Sequence, residues 1–67
     1  MKNNIKLILR ERGISQLELS RMTKISPSDI NQVIRGKKYC FPGWRKRIAE
    51  FLEVDEETIF QDYVGER

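Results

Sequence analysis

The 67-residue sequence predicts an all-α fold, and three observations lead there. Two helix-start signals lie close together, at Ser15 and at Ser26. Apolar residues recur at helical spacing along most of the chain. No run of alternating apolar and polar residues, internal repeat or low-complexity tract competes with them.

The elements follow in order. A first helix near Asn4 to Arg12 places Ile5, Ile8 and Leu9 on one side and ends before Gly13, a residue suited to the left-handed cap position; Leu7 falls outside the stripe. Ser15, followed three residues later by Glu18, forms a capping box, so a second helix should run from Gln16 to Thr23. Only Lys24 and Ile25 separate it from the next signal, the spacing of a helix-turn-helix over about residues 16–35. There Ser26 caps, Pro27 fits the first helical position, Asp29 suits the dipole in the first turn, and Gly36 stops the helix. Ile30, Val33 and Ile34 form its apolar stripe. Ser28, Asn31, Gln32 and Arg35 share another face and can donate hydrogen bonds to base edges or phosphates; taken alone this helix would sooner be read as carrying a solvated polar face, and the rest of the chain reverses that preference.

A basic loop from Lys37 to Gly43, closed by Pro42 and Gly43, precedes a fourth helix. Its inward stripe is expected to be Trp44, Ile48, Phe51 and Leu52, with Arg45, Lys46, Arg47 and Glu50 in solvent. Asp55 can cap a short fifth helix reaching Phe60, with Val54, Ile59 and Phe60 supplying apolar contacts.

Charge is divided along the chain. Met1 to Arg47 hold twelve Lys or Arg and three Asp or Glu, a formal +9, whereas Ile48 to Arg67 hold one and seven, a formal −6. Basic charge gathered in one part of a small domain is the footprint of a polyanion binder, and nucleic acid is the natural partner. No segment is long and apolar enough to span a bilayer or reads as a secretory signal. With no histidine and a single cysteine, Cys40, one chain cannot assemble a zinc site, a Cys-His pair or a Ser-His-Asp triad, and no glycine-rich phosphate loop is present. Neither an enzyme nor a cofactor or metal site is expected, and the lone cysteine points to a reducing cytoplasm. Cys40 itself reads as an apolar filler or a loop bystander rather than a redox sensor. A single domain of this size is expected to have only about 3–5 kcal/mol of net stability.

At this point the chain resembles the Cro and phage-repressor helix-turn-helix family, also called lambda-repressor-like or xenobiotic-response-element domains. The resemblance rests on Gly13-Ile14-Ser15-Gln16, Glu18-Leu19, Ile25-Ser26, Ile30, Val33 and Gly36, then Ile48-Ala49 and Leu52-Glu53-Val54. It implies a compact five-helix DNA-binding domain over residues 1–67. Two positions depart from the pattern: Ser20 stands where the family usually has alanine, and Lys24 where it usually has glycine, at a strain of roughly 1 kcal/mol if the turn is left-handed. The resemblance also implies that Gln16 holds a phosphate, that Pro27, Ser28 and Gln32 face base edges, and that Lys37, Lys38 and Tyr39 contact the backbone. Gln32 is the leading base reader, since glutamine can bond adenine in a bidentate way. Pro27 can touch a thymine methyl or simply start its helix; Asn31 is a further base candidate, and Arg35 suits phosphate better than base.

The function implied is a cytoplasmic, sequence-specific transcriptional regulator, a repressor occluding an operator as a homodimer, with no small-molecule effector evident in the sequence. The apolar residues Ile59, Phe60, Tyr63 and Val64 are the expected dimer interface. Two alternatives remain open: an antitoxin that also binds a partner toxin, and a protein-interaction module without DNA binding.

Overall fold

A computed structural model describes residues 3–60, which form five helices and no strand: α1 Ile5–Arg12, α2 Gln16–Thr23, α3 Pro27–Ile34, α4 Pro42–Leu52 and α5 Glu56–Ile59. Helix α2 packs on α3 and on α4, and α4 on α5. The starts follow the serine signals. Ser15 Oγ accepts the Glu18 N–H at 3.0 Å, and Ser26 Oγ accepts the Asp29 N–H at 3.1 Å. Asp55 occupies the corresponding position before α5 but makes no side-chain cap bond.

Four of the helices end in the same way. A residue with positive φ follows each, at Gly13, Lys24, Gly36 and Glu53, and the residue after it sends its N–H back to the last turn. These bonds run from Ile14 to Leu9, Ile25 to Ser20, Lys37 to Gln32 and Val54 to Ala49. This is the Schellman arrangement, in which the residue after the left-handed one is often apolar because it folds back onto the helix. Ile25 is buried, and Ile14 and Val54 pack against the core. Lys24, at φ 62°, therefore adopts the conformation for which glycine is best suited. Lys24→Gly is expected to stabilise the protein by about 0.5–1 kcal/mol, raising the melting temperature by roughly 3–6 °C. A melting temperature unchanged or lowered in thermal denaturation would contradict the left-handed turn.

Side chains from distant elements close the carbonyl ends as well. Asn3 Nδ2 donates to the Val33 carbonyl at 2.8 Å, Asn4 Nδ2 to Thr58 at 2.9 Å, and Arg47 Nη1 to Thr23 at 3.0 Å. Arg12 Nη1 donates to Leu52. The ends of α2, α3, α4 and α5 are each held by a residue remote in sequence, which satisfies orphan carbonyls and ties the helices together.

The core is built from Ile5, Ile8, Leu9, Leu19, Ile25, Ile30, Val33, Cys40, Ile48, Ala49, Leu52, Ile59 and Phe60. Ser20 is buried among them, and its hydroxyl donates to the Ile25 carbonyl, so the polar atom standing at the family's alanine position is satisfied. Thr23 does likewise, donating to Leu19 at 2.7 Å.

Three expectations need correction. The fourth helix begins at Pro42, so Pro42 and Gly43 open it rather than close the loop before it. Its buried residues are Arg45, Ile48, Ala49 and Leu52, so Arg45 is inside at 2% exposure, while Trp44 and Phe51 lie at the margin. Ile59 and Phe60, expected at a dimer interface, are 0% and 1% exposed in the core of their own chain and offer no surface to a second copy. Tyr63 and Val64 lie outside the described residues.

Candidate nucleic-acid interface

Helix α3 is anchored by Ile30 and Val33, both buried, and this turns the opposite side outward. Pro27, Ser28, Gln32 and Arg35 are all exposed there. Ser28, Gln32 and Arg35 fall at i, i+4 and i+7, a single row two turns long. Gln32 Nε2 donates to Ser28 Oγ at 3.4 Å, a long and easily exchanged contact. The row thus presents an amide, a hydroxyl and a guanidinium, and between them these can donate to and accept from base edges or phosphates.

The remaining sequence candidates frame the row. Gln16, at the first position of α2, and Asn31 of α3 are half-buried and joined by Asn31 Nδ2 donating to Gln16 Oε1 at 3.4 Å. The bond occupies the glutamine oxygen, so its N–H groups are not spent on it. Beyond the carboxyl end of α3, Lys37 and Tyr39 are exposed. Lys38 instead reaches back, its Nζ standing 3.0 Å from Asp29 Oδ1. The Asp29 carboxyl is held below its ordinary range, chiefly by that hydrogen bond with Lys38 and then by one with Ser26.

The loop keeps its shape through Arg45. Its Nη1 donates to the Cys40 carbonyl at 2.7 Å, its Nε lies 3.4 Å from Glu56 Oε1, and its guanidinium sits 6.0 Å from the Tyr39 ring centroid. Tyr39, Phe41 and Trp44 form a ladder of edge-to-face pairs with centroids 5.4 and 5.0 Å apart. Cys40 fills the space beneath, and burial pushes its thiol up to about 11. That is the behaviour of an inert core residue.

Two features of this surface carried no sequence signal. The Asp29–Lys38 pair joins residues nine apart across a helix end, a separation outside any helical periodicity. The structural use of Arg12, Arg45 and Arg47 likewise has no sequence signature, since a charge count cannot tell a buried or carbonyl-bound guanidinium from one facing solvent.

With this geometry in place, the chain is assigned to its class: the family model described as "Helix-turn-helix domain" matches residues 3–64, and the protein belongs to that family, which is of the Cro/C1-like type and typically non-enzymatic. No curated protein matches the chain. Among the described residues no helix is long and apolar enough to cross a membrane.

Proposed function

We propose that this chain is a sequence-specific DNA-binding transcriptional regulator that represses by covering its operator, with α3 laid in the major groove. The observation carrying this reading is the exposed Ser28, Gln32 and Arg35 row on a helix whose other side is locked in the core. A rigid helix with such a row fits the dimensions and hydrogen-bond pattern of the major groove. Gln16, joined to Asn31 beside the row, and Lys37, just past the carboxyl end of α3, would meet the phosphates, with Arg35 and Tyr39 close to Lys37 along the chain. Asn31, tied to Gln16, would serve to orient the phosphate contact more than to read a base. Pro27, at the first helical position, starts the helix and borders the row.

Selection of bound duplexes from a random pool tests the reading and supplies the operator. Gln32→Ala is expected to relax preference at one base position, a loss of roughly 1–3 kcal/mol in discrimination, while Arg35→Ala weakens all sequences alike and lowers the salt slope by about one unit. Unchanged base preferences in Gln32→Ala would remove that residue from the reading row. A selected site formed as an inverted repeat, with half-sites about ten base pairs apart, would mark a homodimer, and a single half-site a monomer. Absence of any salt-dependent binding would move the protein to the interaction modules, and a copurifying toxin would move it to the antitoxins.

A further inference from the structure

We propose that Lys38 serves DNA binding through Asp29, as the neutralising partner of a carboxylate on the DNA-facing helix, and is not itself a phosphate ligand. This rests on the DNA-binding reading above. Asp29 is the only acidic residue between Glu18 and Glu50, a stretch that contains eight Lys or Arg. It stands in the first turn of α3, next to Ser28 and one turn before Gln32 and Val33. A carboxylate there suits the protein by itself, because the amino end of a helix favours negative charge. It does not suit a polyanion, since each nearby phosphate repels it. The ammonium of Lys38, 3.0 Å away with both side chains about one-third exposed, reconciles the two demands. It leaves the helix its carboxylate and presents DNA with a neutral pair. The ammonium has other N–H donors, but any phosphate drawn to them also approaches the carboxylate whose charge Lys38 compensates.

The two roles give opposite results in a double-variant cycle. Binding of a short mixed-sequence DNA duplex is measured at low salt for the parent, Lys38→Ala, Asp29→Asn and the double variant, with thermal melts of each to report folding. Lys38→Ala is expected to bind about five- to tenfold more weakly, Asp29→Asn at least as tightly as the parent, and the double variant, neutral at this position like the parent, within about twofold of the parent. A phosphate ligand would instead leave the double variant as weak as Lys38→Ala, because its contact is missing in both; that result overturns the proposal. NMR titration of the Asp29 carboxyl gives a readout independent of DNA: it should lie below the ordinary carboxylate range in the parent and rise in Lys38→Ala. Identical titration in the two proteins also overturns it. A parent that binds no duplex, with the titration shift intact, overturns instead the DNA-binding reading on which this rests.

Discussion

Ile48→Ala is expected to leave the chain largely unfolded at room temperature. Ile48 is completely buried at the middle of α4, the helix that packs on both α2 and α5. Truncating a buried isoleucine to alanine costs about 2–5 kcal/mol through lost transfer energy and the cavity left behind. A domain of this size holds only about 3–5 kcal/mol in total, so one substitution removes most of it. Circular dichroism at 222 nm, a wavelength that reports helix content, should show little of the parent's cooperative melt. Because the turn between α2 and α3 leans on the same core, DNA binding should vanish with the helix signal. A melt indistinguishable from the parent would mean that Ile48 does not occupy the core.

Arg45→Ala is expected to be nearly as damaging, by about 2–3 kcal/mol, and Arg45→Met clearly less so. The guanidinium is inside the protein, donating to the Cys40 carbonyl and paired with Glu56, so it joins the loop after α3, the start of α4 and the start of α5. Alanine deletes the packed stem together with the donor. Methionine restores most of the volume and leaves only the polar partners to find water, which the partly exposed Glu56 can do. That exposure keeps the expected cost below that of breaking a fully buried pair. Denaturant titrations of the three proteins give the order parent, methionine, alanine. Equal stability of the alanine variant and the parent would show that Arg45 is not structurally engaged.

These two residues also mark the boundary between what is written locally and what is not. Helix starts at Ser15 and Ser26, ends at Gly13 and Gly36, and the two-residue turn between α2 and α3 follow from caps and backbone preferences that act within four or five residues. Such signals survive in a bare sequence, and so does the inward face of α3, because Ile30 and Val33 are apolar at helical spacing. The exposed row of Ser28, Gln32 and Arg35 was legible as the complement of that face. Helix α4 carries a mixed signal. Its aromatic residues Trp44 and Phe51 suggested one stripe, while the small residue Ala49, with Ile48 and Leu52, marks another whose first member is Arg45. Reading that stripe required accepting an arginine in the core.

By itself, the sequence determined an all-helical chain, the positions of the four longer helices to within about two residues, the helix-turn-helix at residues 16–35, and the candidate reading row on α3. Only the tertiary structure decided the roles of several charged residues and of Ile59 and Phe60. Arg12, Arg45 and Arg47 close carbonyls, Lys38 neutralises Asp29 across a helix end, and Ile59 and Phe60 fill their own chain's core. The reason is one of range. Capping and periodicity are properties of neighbours along the chain, whereas a long cationic side chain or an apolar residue near the end takes its role from whatever unsatisfied carbonyl, carboxylate or cavity the fold brings within reach.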